Sequence, residues 1–158
     1  MIKARKFLLI ADGSDESRSA AYFAARRARN TGGDVTILAV ADSQKGFEHW
    51  IGVGNVIESE ALAAAERNLQ CLTEEIEGVV QRPPVLHLKK GDLLVEIKKL
   101  VESDTSISIL VLGGSFDNSQ PDPLINAIAR GKNLFGNRSI PITLVPAGLS
   151  HDELKALT

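Results

Sequence analysis

The sequence predicts an α/β fold: a single doubly wound, Rossmann-like domain whose five-stranded, mainly parallel sheet carries helices on both faces. Three observations predict it. Five short apolar runs alternate with helical segments along 158 residues, a length that suits one domain. The runs are continuous rather than alternating, as strands buried on both faces must be. Each of the first four runs ends in a turn bearing Gly, Asp or Ser, where a strand hands over to a helix.

Phe7-Leu8-Leu9-Ile10-Ala11 is the first run, stopped by Asp12-Gly13-Ser14. Ser14 suits a helix N-cap, with Asp15 and Glu16 in the first turn, where the helix dipole favours negative charge. Ala20, Ala21, Ala24, Ala25 and Ala28 continue that helix, and their small side chains let it lie close to a sheet. Thr31-Gly32-Gly33 closes it, since glycine accepts a left-handed end. Val35 to Val40 is the second strand. Ala41 to Val56 has no period and carries Phe47, Trp50 and Ile51; a connection this long is either functional or mobile. A long helix from Ile57 places Leu62, Ala65, Leu69, Leu72, Ile76 and Val79 on one stripe, until Arg82-Pro83-Pro84 breaks it.

Val85-Leu86-His87-Leu88 is the third strand, and Asp92 caps a third helix that turns Leu93, Ile97, Leu100 and Val101 inward. Ile107 to Leu112 is the fourth strand and ends at Gly113-Gly114-Ser115. Asp122-Pro123 opens a fourth helix, with Leu124, Ile125, Ile128 and Phe135 on its apolar side and Gly136-Asn137 as its end. Ile140 to Val145 is the fifth strand. Ser150-His151-Asp152-Glu153 is a capping box, so residues 1–146 form the domain and 147–158 a tail with one short helix.

Composition excludes several functions. Eighteen Lys and Arg stand against twenty Asp and Glu, for a net charge of -2, which argues against binding nucleic acid through a basic face. No apolar run approaches the roughly 18 residues of a membrane span. The basic start, Met1 to Lys6, is followed only by Phe7 to Ala11, too short a run for a signal peptide, so a cytoplasmic location is expected. Cys71 is alone, which rules out an intrachain disulfide framework; beside the apolar stripe it reads as a buried or half-buried inert thiol. His49, His87 and His151 fall in a loop, a strand and the tail, so no metal site is expected. Ser14 lacks the elbow motif of a nucleophile, and no catalytic residue is expected.

In doubly wound sheets, ligands bind beyond the carboxyl ends of the strands. Those ends are Asp12-Gly13-Ser14, Ala41-Asp42-Ser43, Lys89-Lys90-Gly91 and Gly113-Gly114-Ser115. Asp12 has two readings: it accepts a hydrogen bond from a ligand, or it satisfies backbone N–H groups in its turn. Gly113 and Gly114 either admit a ligand closely or make a tight turn. Trp50, with Phe47 and Ile51, either caps a pocket or folds back on the sheet edge.

Five features together resemble the universal stress proteins, from Phe7 to about Pro146. They are Ile10-Ala11-Asp12-Gly13-Ser14 followed by Ser17 and an alanine-rich helix; Thr31-Gly32-Gly33-Asp34; Lys90-Gly91-Asp92 before Ile97; Ile109 to Gly113; and Ile140 to Val145. The resemblance implies strand order 3-2-1-4-5, a homodimer paired through Ile140 to Val145, and a stress-response role through a protein partner not yet known or a small ligand. In one branch of the family it also implies ATP binding. The positions it would use here are Ala11, Asp12, Gly13, Ser14, Ala41, Gly113, Gly114 and Ser115. That branch holds phosphates with glycine, two residues, glycine, nine residues, glycine, then serine or threonine. Counted from Gly113, the later positions are Phe116, Asn126 and Ala127; from Gly114 they are Asp117, Ala127 and Ile128. Pro121 and Pro123 offer no N–H, Asp117 and Asp122 repel phosphate, and no Lys or Arg lies between Gly113 and Ala129. No cofactor is therefore expected, and ATP or AMP held by a degenerate phosphate loop is the alternative.

Overall fold

In chain order the elements are β1 (Lys6–Ile10), α1 (Asp15–Thr31), β2 (Asp34–Ala41), α2 (Asn55–Val80), β3 (Val85–Lys90), α3 (Leu93–Ser103), β4 (Ile107–Gly114), α4 (Pro123–Ala129), β5 (Ile142–Pro146) and α5 (His151–Leu157). The computed structural model of the chain describes residues 5–11, 15–41, 55–114, 123–131 and 133–158. The strands form one parallel sheet in the order β3-β2-β1-β4-β5. The chain steps outward from β1 to β3 and then returns to β4 on the other side. Right-handed crossovers therefore set α1 and α2 on one face and α3 and α4 on the other.

Strand residues alternate between the two layers. Phe7, Leu9, Ile37 and Val111 pack under α1 and α2, while Leu8, Ile10, Leu38 and Leu110 pack under α3 and α4. Both sets are almost wholly buried, which is why the runs read as continuously apolar rather than alternating. On α1, Ala20, Ala21, Ala24, Ala25 and Ala28 are all buried and bring the helix axis down onto the sheet. Leu69, Leu72, Ile76 and Val80 of α2 complete that layer. Cys71, one position off the stripe, is exposed rather than buried, because a step of one residue turns a helix by about 100°.

Several boundaries shift by a residue or two from the sequence reading, and two differences have a clear structural cause. The fourth helix ends at Ala129, not near Gly136. Gly131, at φ +71°, leaves the helix, and Asn133 then holds a turn of its own. Its Oδ1 accepts from Phe135 N (3.2 Å) and its Nδ2 donates to Gly136 O (2.8 Å). Leu134 and Phe135 are still buried against α3 and α4, so the core needs them but the helix does not. The fifth strand starts at Ile142, because Pro141 has no N–H for the ladder; its carbonyl accepts from Leu110 N at 2.9 Å.

The tail helix α5 docks on α1. Ser150 Oγ accepts from Glu153 N at 3.1 Å as its N-cap. His151 stacks on Tyr22, with ring centroids 4.3 Å apart and planes 3° from parallel, and Asn30 Nδ2 donates to Thr158 O at 2.8 Å. Tyr22 and Asn30 lie two turns apart on α1, and His151 and Thr158 lie two turns apart on the tail. The two helices therefore run parallel, with Leu154 fully buried between them and β5.

Polar ties close the amino edge of the sheet. Arg138 fans over the α3–β4 connection: Nη1 donates to Val101 O (2.8 Å) and Asp104 O (3.1 Å), and Nη2 to Thr105 O (3.2 Å) and Ile107 O (2.7 Å). The charge stands where α3 presents its free carbonyls. Lys6 Nζ reaches Asp104 Oδ2 at 2.8 Å, and the Ser106 amide and hydroxyl both donate to Asp104 Oδ1. Arg82 Nε meets Asp34 Oδ1 at 2.6 Å and joins the start of β3 to β2.

Candidate functional site

The topology opens a crevice where the order reverses, between the carboxyl ends of β1 and β4. Of the positions named from the sequence, Ala11, Ala41, Gly113 and Gly114 are described. Asp12, Gly13, Ser14 and Ser115 lie outside the described residues, as do Asp42, Ser43 and the Trp50 loop. Ala11 is buried, and its N–H donates to Leu38 O at 3.0 Å, which carries the β1–β2 pairing to the rim. Ala41 stands level with Lys90 of β3.

Gly113 and Gly114 belong to β4 and stand opposite Val145 and Pro146 of β5. The Gly114 carbonyl accepts from Ala147 N at 3.3 Å, so it serves the β4–β5 side. The space a side chain would take is filled at both positions. At Gly113 a Cβ would meet the main chain of Glu16, in the first turn of α1. At Gly114, on the opposite face, it would meet Leu144 Cδ1 at 2.6 Å and Ile125 Cδ1 at 3.2 Å. The first glycine lets α1 press on the sheet at the crevice floor, and the second does the same for β5 and α4.

Charge around the described rim is sparse. Glu16 enters from α1, and Lys89 and Lys90 end β3. Lys90 lies two strands from β1, about 10 Å by the usual strand spacing. Among the described residues, no three of His, Cys, Asp and Glu gather as a metal site would require. At the opposite edge, burial alone would raise the Asp104 carboxyl. The hydrogen bonds from Lys6 and Ser106, with the Lys6 charge, outweigh burial and hold it below its ordinary value. A cavity of about 270 Å³ also lies away from the crevice, lined by Ile128, Phe135, Arg138, Ile140 and Ile142. Four Arg138 N–H bonds there already go to carbonyls, so the cavity wall is mainly apolar.

Sequence reasoning named four strand ends as candidate site segments, two of which border this crevice, and it missed the amino-edge ties. Arg138 stands in a Gly-Asn-Arg-Ser stretch with no local period, and the carbonyls it gathers lie more than thirty residues earlier.

The sequence profile of the universal stress protein family matches residues 3–115, a span that contains β1 through β4. The chain belongs to the universal stress protein family. Its observed strand order is the one expected of that family. The universal stress protein UspA from Lactobacillus plantarum has a similar solved structure, with a TM-score of 0.66 at 13% identity over 92% of this chain and 99% of that one. A universal stress protein from Archaeoglobus fulgidus, solved in complex with dAMP, gives a TM-score of 0.54 at 18% identity over 92% and 99%. One solved in complex with cAMP gives 0.54 at 16% identity over 92% and 98%. No curated protein sequence matches the chain. Among the described residues, no helix is long and apolar enough to cross a membrane.

Proposed function

We propose that this universal stress protein is a non-catalytic, cytosolic homodimer that acts in stress response through contacts with a partner or small ligand, not by holding a triphosphate. The observation that carries the reading is the filled space at Gly113 and Gly114, which are used for packing α1, α4 and β5. The sequence beyond them supports it, since Pro121, Pro123, Asp117 and Asp122 withhold amides and add negative charge. Pairing through β5 is supported by its place at the sheet edge and by the exposed Leu144 beside half-buried Ile142 and Thr143. Nucleotide analysis of freshly purified protein, followed by calorimetric titration with ATP, tests the ligand half. No bound nucleotide and no heat of binding are expected, and stoichiometric co-purified ATP defeats the reading. Sedimentation tests the dimer half: Leu144→Lys should yield monomers.

A second reading is favoured by the two relatives solved with dAMP and cAMP. A single phosphate needs fewer amide donors than three do. AMP would then lie over Ala11, Asp12, Gly13, Ser14 and Ala41, with Gly113, Gly114 and Ser115 at its phosphate. This reading expects saturable AMP binding that Asp12→Ala weakens.

A further inference from the structure

The far edge of the sheet, two strands from the crevice, carries exposed apolar residues. β3 is an end strand, so one side of its backbone has no neighbour in the sheet. Edge strands are usually blunted by bulges, proline or charge along the strand. β3 keeps an unbroken register with β2 over all its residues, from Thr36↔Val85 to Ala41↔Lys90, and its two prolines precede it. Its apolar residues are open: Val85 is 51% exposed, Leu86 42% and Leu88 58%. Leu86 and Leu88 lie on the face of Ile37 and Ala39, and Val85 lies on the face of Leu38 beside half-buried His87, so each face of the edge opens an apolar side chain.

Among the described residues, the unpaired charge on this strand has one sign and sits at one end. Lys89 and Lys90, one on each face, are exposed, and neither has an ion pair among the described residues. Among the described residues, three neighbouring acids are already engaged. Asp92 Oδ1 accepts from Val95 N at 3.0 Å to cap α3, and Glu96 pairs with Lys99 at 3.6 Å. Asp34 holds Arg82. A regular, partly apolar, hydrogen-bonding edge that ends in two cations without an ion pair among the described residues is complementary to an extended chain with apolar residues in the middle and carboxylates at one end. A second copy fits less well. Antiparallel pairing about the middle of β3 would set Lys90 against Val85 and Lys89 against Leu86, with no carboxylate for either.

We propose that the outer edge of β3 accepts an extended acidic peptide as a sixth strand, with its apolar residues against Val85, Leu86 and Leu88 and its carboxylates beside Lys89 and Lys90. Such a site would serve the partner contacts of the proposed function. It rests on neither the crevice nor β5, so it can fail while those readings stand, and the reverse.

The test is a ¹⁵N-correlation titration of the full chain with acetyl-Glu-Glu-Val-Thr-Ile-Thr-Val-amide, and with the same peptide in reversed order to cover both strand directions. The control peptide carries Lys in place of both Glu. Saturable shifts concentrated at Val85 to Lys90 are expected for one of the acidic peptides, with affinity about tenfold above the Lys control at low salt. The Lys89→Glu, Lys90→Glu double variant should reverse that preference, and Leu88→Asp should weaken both peptides; these side chains are exposed, so the fold is retained. No saturation by about 1 mM peptide, equal affinity for the two charge types, or shifts centred on another surface would overturn the proposal. Concentration-dependent shifts of the same amides without peptide would also overturn it, by making a second copy the occupant.

Discussion

Alanine at Gly113 separates a glycine kept for packing from one kept for a ligand. The new Cβ would run into the Glu16 main chain, and the obstacle belongs to the first turn of α1 rather than to a movable side chain. Relief therefore requires the helix to lift or slide. That motion disturbs the buried alanine face, where Ala20, Ala21 and Ala24 leave no slack. Overpacking of a tight site costs about 1–3 kcal/mol, and a backbone obstacle places this variant in the upper part, about 2–3 kcal/mol. In a chain of 158 residues, each kcal/mol moves the melting temperature by about 2–4 °C, so Gly113→Ala should melt about 4–12 °C below the parent. Circular dichroism melts at matched concentration read this directly, with an AMP titration on the same samples. A variant that melts within about 1 °C of the parent while its nucleotide binding changes would refute the argument, because the glycine would then be serving a ligand.

Three further outcomes follow from the amino edge of the sheet. Arg138→Ala should lower unfolding free energy by about 2–4 kcal/mol in urea, since four carbonyls lose a charged donor. Arg138→Lys should restore less than half, because one ammonium cannot span four separated acceptors. The Asp104 carboxyl is held below its ordinary value of 3.8, so the unfolded chain binds the proton more readily than the folded one. Its contribution is therefore complete above that value and is lost as pH falls through the lower folded value. The urea midpoint should drop more steeply below pH 3.8 in the parent than in Asp104→Asn.

Most of the fold was legible because its signals are local. Asp92 and Ser150 cap the helices that the sequence assigned to them, and each accepts from the amide three residues on. The sequence extends the fourth helix too far because Ile128 and Phe135 stand seven residues apart, as on one helical face. The spacing is real, and both side chains pack in the same layer, but the Gly131 and Asn133 turns carry Phe135 there without a helix. The exposure of Cys71 is hidden in the sequence for a related reason: neighbours on an apolar stripe say little about the residue one step round the helix.

By itself, the order of apolar runs and caps determined a parallel sheet wound both ways, because strand burial and crossover handedness leave few other arrangements. The same signals named four strand ends for a ligand, and the observed strand order is what makes β1 and β4 the pair that borders the crevice. Only the tertiary structure decided what occupies the space beside each rim glycine: Glu16 at Gly113, Leu144 and Ile125 at Gly114. It also decided that Arg138 would gather carbonyls from the α3–β4 connection and that Val85, Leu86 and Leu88 would stay open at an edge. A glycine, an arginine and an apolar run look alike in sequence whatever faces them. What faces them arrives from segments tens of residues away, and only packing brings those segments together.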